Sequence, residues 1–169
     1  IAVHGGTVAI GAPGHESGGV TNSGSVLIFE ESAGIYTESL MLSAETPSPF
    51  ATFGYSLDVN HDHLLVGAPG ENVDSGAAYL HNRLASMWIN QQKIEPEDID
   101  ESGLFGADVG LDVKTAVISA PAAGSDQGQV GIYRKSGLDW IQEAPLSPVS
   151  DRIAGAFSGR SLRCPLPTL

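Results

Sequence analysis

Residues 53–83 read FGYSLDVNHDHLLVGAPGENVDSGAAYLHNR, with a Phe-Gly pair at 53–54 and a Gly-Ala-Pro triplet at 67–69. Both landmarks return 52 residues later, as Phe-Gly at 105–106 and Ser-Ala-Pro at 119–121. A further Gly-Ala-Pro lies upstream at 11–13. The chain therefore repeats one unit, and a fixed repeat period decides the whole fold.

Other columns keep the same spacing along the chain. They are occupied by Gly24, Gly76 and Gly128; by Tyr36, Trp88 and Trp140; by Leu42, Ile94 and Leu146; and by Phe53, Phe105 and Phe157. This register predicts copies at residues 1–47, 48–100 and 101–153, the start of a fourth at 154–162 and a degenerate tail at 163–169. The copies together form one repeat segment, residues 1–162.

Alternating apolar residues predict four short strands in each copy. In the second copy, the first strand covers residues 55–59 and the second covers 63–66, with a tight turn at 60–62 between them. The third begins near Gly76, and the fourth contains Trp88 and Ile94. Four strands per unit of roughly 50 residues are typical of propeller blades. We predict an all-β fold of four-stranded antiparallel β-propeller blades, about three in number, with the ring incomplete.

Charge narrows the range of partners. The chain has 8 basic and 20 acidic residues, for a net charge of -12, which disfavours nucleic acid and anionic membrane surfaces. No apolar run is long enough to insert into a membrane. The one cysteine, Cys164, can make no internal disulfide.

The second copy has Phe-Gly at 53–54, Gly-Ala-Pro at 67–69 and Gly-Ala-Ala-Tyr at 76–79. This order of motifs resembles the FG-GAP repeat of integrin α subunits and of many secreted microbial proteins. The short turn before Gly-Ala-Pro makes the sequence more similar to the microbial type. The resemblance implies a propeller of usually seven blades that acts in adhesion or ligand binding through loops on one rim. It also implies an extracellular or cell-surface location and no catalytic activity.

Three blades are fewer than the roughly four to eight that closed propellers use. We therefore expect that the chain is a segment of a longer polypeptide, or that copies self-associate to complete a ring or a filament.

The loops after the Gly-Ala-Pro landmarks differ between copies, at residues 15–22, 71–74 and 122–127. Because repeated residues serve the scaffold, we expect a protein or glycan partner to bind these loops on one rim. The candidate ligand-binding residues are His15, Glu16, Glu71, Asn72, Asp74, Ser125 and Asp126. The acidic run at 95–101 is interpreted as a solvated loop.

Calcium is the cofactor to consider, because integrin-type blades often carry a calcium loop between the first two strands. Asp58, Asn60 and Asp62 have its starting spacing, but His63 follows where the loop has Gly, and the closing carboxylate is missing. A plain hairpin turn is favoured, with no cofactor. His61 and His63 could suit zinc, but with no third ligand they are interpreted as polar turn residues.

Nothing marks a catalytic triad or a carboxylate pair, so no catalytic residue is assigned. Tyr36, Trp88 and Trp140 could form a sugar-stacking ladder, but packing between blades explains their recurrence better. The leading hypothesis is a non-catalytic extracellular interaction module, adhesive or structural. The alternatives are an accessory propeller domain of a larger secreted enzyme and a calcium-dependent lectin-like domain.

Overall fold

The computed structural model describes residues 1–85, 87–96, 102–126, 128–143 and 146. Within these, it describes the backbone alone for Ser125 and Asp126. The expected fourth unit at 154–162, with Phe157, and the tail at 163–169, with Cys164, lie outside the described residues.

In the part of the chain that the structure describes, twelve strands form three four-stranded antiparallel sheets. The first sheet, blade 1, consists of β1 (Ala2–His4), β2 (Thr7–Ala12), β3 (Ser25–Ser32) and β4 (Ile35–Leu42). Blade 2 consists of β5 (Ser56–Val59), β6 (His63–Ala68), β7 (Ala77–Leu84) and β8 (Met87–Ile94). Blade 3 consists of β9 (Val109–Leu111), β10 (Thr115–Ala120), β11 (Gln129–Ser136) and β12 (Asp139–Gln142).

Each strand pairs with the next one along the chain, so every sheet has the order of the sequence. The all-β prediction of four-stranded blades is confirmed. The helical elements that the structure describes are two four-residue turns, α1 (Glu71–Asp74) and α2 (Ala123–Asp126). Among the described residues, no helix has the length and apolar character needed to cross a membrane.

The core lies between the sheets, because strands in the middle blade bury both faces. In β6, Leu64 and Val66 pack against blade 1, whereas Leu65 packs against blade 3. All three side chains are fully buried. Successive residues of a strand point to opposite faces, so the run Leu-Leu-Val supplies two interfaces at once.

The Phe-Gly and Gly-Ala-Pro landmarks meet where consecutive blades join. Gly76 pairs with Phe105 in a parallel bridge, as Gly24 pairs with Phe53 one blade earlier. A Cβ atom on Gly67 would lie 2.0 Å from the carbonyl oxygen of Gly106. The repeated glycines therefore allow the backbones of neighbouring blades to touch.

The aromatic column follows the interface prediction at two of its three positions. Trp88 is 5% exposed and Trp140 is 2% exposed, and the Trp140 ring meets the His63 ring edge-on at 5.4 Å between centroids. Tyr36 is 50% exposed, so the prediction that it packs between blades is wrong. Trp88 and Trp140 each pack against the blade that precedes their own in the chain. Tyr36 belongs to blade 1, and no described sheet precedes blade 1.

The interpretation of His63 as a polar turn residue is also wrong. His63 is the first residue of β6. Its side chain is buried against blade 3, where its Nε2 lies 2.7 Å from the Nζ of Lys135. Burial first, and then the nearby Lys135 charge, lowers the pKa of His63. His61, in the turn, is exposed and pairs with Asp62.

Candidate functional site

The loops that follow the Gly-Ala-Pro landmarks and the linkers between blades lie at one end of the sheets. We call this end the loop rim; in blades 1 and 2 it comprises residues 13–24, 43–55 and 69–76. The backbone N–H of Thr52 donates to the carbonyl of Asn22 at 3.1 Å, and Gly70 N–H donates to the Thr52 hydroxyl at 3.3 Å. The linker 43–55 thus joins the loops of two neighbouring blades.

Several non-glycine residues of the loop rim have positive φ, and most recur in register. The pairs 52 positions apart are Asn22 and Asp74, Phe50 and Ser102, and Thr52 and Leu104, with φ between 49° and 69°. Positive φ is uncommon outside glycine and often marks functional strain. Here the recurrence indicates that this conformation belongs to the repeat's scaffold.

The loop of blade 2 has two further non-glycine residues with positive φ, Asn72 (φ 51°) and Val73 (φ 57°) in α1. Val73 is a β-branched residue, for which positive φ is strained, and its side chain is 88% exposed. Apolar contacts of its own therefore do not hold this turn.

A cluster of polar side chains around the buried Glu71 carboxylate holds it instead, and we call this cluster the Glu71 brace. The Glu71 carboxylate is buried and accepts hydrogen bonds from the Tyr79 hydroxyl at 2.6 Å and from Lys93 Nζ at 2.6 Å. Lys93 also lies 2.7 Å from Glu95, which in turn accepts from the Asn72 side-chain amide at 3.0 Å. The network connects α1 to β7 and β8.

The protonation states of the Glu71 brace favour a structural role. Burial, and then the hydrogen bond to Glu71, raises the pKa of Tyr79. Burial opposes the charge of Lys93, but its hydrogen bonds to Glu71 and Glu95 prevail and raise its pKa. Tyr79 and Lys93 therefore both stay protonated at neutral pH and donate to the Glu71 carboxylate, which fixes α1.

The loop rim also carries exposed aromatic side chains. Phe50 is 60% exposed and Tyr55 is 59% exposed, and both belong to the linker that crosses the loop rim. The carbonyl oxygen of Phe50 would lie 2.0 Å from a Cβ atom on Gly70, which places the linker directly against the loop of blade 2. The exposed aromatic groups, Val73 and the exposed Asp74 therefore all belong to the loop rim.

The residues predicted as ligand-binding occupy three different settings. His15 and Glu16 are exposed in the loop of blade 1, and Asn72 and Asp74 are exposed in the loop of blade 2. Glu71 is buried in the brace, so its position supports the loop surface from below. Ser125 and Asp126 belong to α2, where the structure describes the backbone alone.

Sequence reasoning missed Tyr79, Lys93, Phe50 and Tyr55. A signal was present for the brace: Glu71, Tyr79 and Lys93 correspond to Ala123, Gly131 and Pro145 in the third copy. Three positions that depart together from the repeat indicate a cluster peculiar to one blade. No comparable signal marks the exposure of Phe50 and Tyr55.

The residues with calcium-loop spacing do not converge. One Asp58 carboxylate oxygen accepts from the backbone N–H of Leu111 at 2.6 Å, across the interface with blade 3. Burial raises the pKa of Asp58. Asn60 accepts from the backbone of the turn itself. The hydrogen bond from His61 lowers the pKa of Asp62. In the described part of the chain, no group of three His, Cys, Asp or Glu residues could hold a metal ion.

Comparison with known proteins gives one family. Residues 88–133 match the family model of the FG-GAP repeat. The match runs from the outer strand of blade 2, β8, into β11 of blade 3. No curated protein matches the chain.

Proposed function

Because the chain carries an FG-GAP repeat, we propose that it is a non-catalytic interaction module, acting outside the cell or at its surface in adhesion or structural assembly. Its loop rim at blade 2 binds a protein or a glycan. The observation that carries the proposal is the Glu71 brace, which holds the exposed residues 72–74 in a strained conformation on the same loop rim as Phe50 and Tyr55.

The chemistry of this surface fits both classes of partner. Aromatic rings provide a large contact area at a small cost in side-chain entropy, and they stack on sugar rings as readily as on apolar side chains. The brace lets the loop bind without first being ordered, which lowers the entropic cost of association. With a net charge of -12, the chain is suited to a partner whose contact surface is neutral or basic.

The experiment presents the chain to arrays of glycans and of extracellular protein domains, with and without chelator. For any hit, the double variant Phe50→Ala/Tyr55→Ala should weaken binding about tenfold or more. Lys93→Met removes the cation of the brace and supplies the residue found at the same position in the first copy. It should weaken binding while leaving Phe50, Tyr55 and residues 72–74 unchanged. Chelator should have no effect, because no calcium is required.

Leu138→Ala is the matched control, since Leu138 is an exposed apolar residue in a hairpin at the opposite end of blade 3. The proposal fails if neither array gives a hit. It also fails if the loop-rim variants and Leu138→Ala have equal effects on binding.

A further inference from the structure

At each described interface between blades, the same two positions of the repeat form a polar contact. Arg83 of blade 2 donates to Thr7 at 2.8 Å and to Glu30 at 3.0 Å, both in blade 1. Lys135 of blade 3, which is 52 residues after Arg83, reaches His63 of blade 2 at 2.7 Å. His63 occupies the position of Thr7 in its own blade. A basic residue of the later blade thus contacts a polar position of the earlier one.

Two sheet faces have no described sheet against them. We call the outer face of blade 1 the leading face and the outer face of blade 3 the trailing face. The leading face carries an apolar residue at the main positions that blade 2 buries against blade 1. The corresponding pairs, with the residue of the leading face first, are Val3 and Val59, Val8 and Leu64, Ile10 and Val66, Leu27 and Tyr79, Phe29 and His81, and Tyr36 and Trp88.

The exposure of the two sets differs sharply. Those residues of blade 2 are at most 5% exposed, whereas Val3 and Tyr36 are 62% and 50% exposed and the other four are half-buried. The leading face is therefore an interface surface without its partner.

The trailing face has the complementary pattern. Val117, Val130 and Ile132 stand where blade 2 has Leu65, Ala78 and Leu80, which pack against blade 3. Thr115 occupies the position of His63 and, like Thr7, carries a hydroxyl. The trailing face thus matches the surface that receives a following blade.

On the leading and trailing faces, the residues that correspond to Arg83 and Glu30 carry the opposite charges. Glu31 of the leading face stands at the position of Arg83, and Arg134 of the trailing face stands at the position of Glu30. A pair between Glu31 and Arg134 would repeat the Arg83–Glu30 contact with its signs exchanged. Arg134 now pairs with Glu143 at 3.0 Å, but both side chains are about half exposed, so that pair contributes little.

We propose that the leading face of one copy of this chain docks on the trailing face of a second copy, with Glu31 paired to Arg134 and Tyr36 lying over Thr115. The interface is head-to-tail, and such interfaces close into rings when the rotation permits. The described blades of two copies number six, within the roughly four to eight of closed propellers. A closed dimer buries both faces of both copies, and it does not involve the loop rim, so this proposal and the proposed function fail independently.

The test is sedimentation velocity on the full chain over a range of concentrations. The wild type should sediment at twice the chain mass of 17.5 kDa. Glu31→Arg and Arg134→Glu each place like charges together, so each should raise the dissociation constant of the dimer about tenfold or more. The double variant Glu31→Arg/Arg134→Glu restores opposite charges and should return the constant to within about threefold of wild type.

Glu45→Arg is the matched control, because it makes the same charge change at an exposed position in the linker after blade 1. Circular dichroism of each variant at low concentration verifies that the monomer is folded. A wild type that stays monomeric at every concentration overturns the proposal. A dimer whose dissociation constant is unchanged by Glu31→Arg and by Arg134→Glu also overturns it.

Discussion

His81 stands in a column of aromatic residues, with Phe29 and Tyr133 at the matching positions of the other copies. Its ring is buried and meets the Phe53 ring edge-on at 6.1 Å between centroids. Burial lowers its pKa from 6.5 to about 4. The unfolded chain therefore takes up a proton near pH 6.5, whereas the folded chain takes it up only near pH 4.

This difference predicts that His81 lowers the free energy of unfolding by about 3 kcal/mol as the pH falls from 6.5 to 4. His81→Phe should remove that loss, since the other copies accommodate an aromatic ring at the position. Urea unfolding of wild type and variant at several pH values measures the change. The explanation is wrong if the two stability curves stay parallel, or if the His81 ring protons titrate near pH 6.5 by NMR.

At the scale of the strand, each outer strand carries one aromatic residue of the repeated column. Its contribution to stability depends on whether a preceding blade packs against it. Trp88 on β8 is buried against blade 1, with the Arg83 guanidinium 5.4 Å from the ring centroid. Tyr36 occupies the same position on β4 and is half exposed. Trp88→Ala should lower the free energy of unfolding by about 3 to 5 kcal/mol.

Tyr36→Ala is the matched control and should cost less than about 1 kcal/mol in the isolated monomer. Both values come from urea unfolding at concentrations low enough to exclude self-association. Equal losses for the two variants would show that the aromatic column stabilises each sheet from within rather than through the blade before it.

The strands themselves were predictable because repeated columns average out local ambiguity. The turn at 60–62, the end of β6 before Pro69 and the start of β7 after Gly76 all follow from residues whose backbone limits are known. Tyr36 and His63 were misjudged because exposure depends on the neighbouring blade, which alternation within one strand does not encode. The Glu71 brace joins residues from 71 to 95, and its partners could be found only from the places where copies differ.

At the scale of the whole molecule, the described blades form a short linear array in which only blade 2 has two neighbours. Stability in repeat arrays is approximately a sum over units and nearest-neighbour interfaces. Opening blade 2 disrupts two interfaces, whereas opening blade 1 disrupts one. Hydrogen exchange in the monomer should therefore be slowest in β6 and faster in the corresponding strand β2.

Concentration should change that order if copies dock through the leading and trailing faces. In the closed dimer every blade has two neighbours, so the amides of β2 and β3 should become nearly as protected as those of β6 and β7. Exchange measured by mass spectrometry below and above the dissociation constant makes the comparison, and Glu31→Arg should keep the monomer pattern at both concentrations. Equal protection of β2 and β6 in the monomer would mean that the three sheets unfold as one unit, and the additive description of the array would then be incorrect.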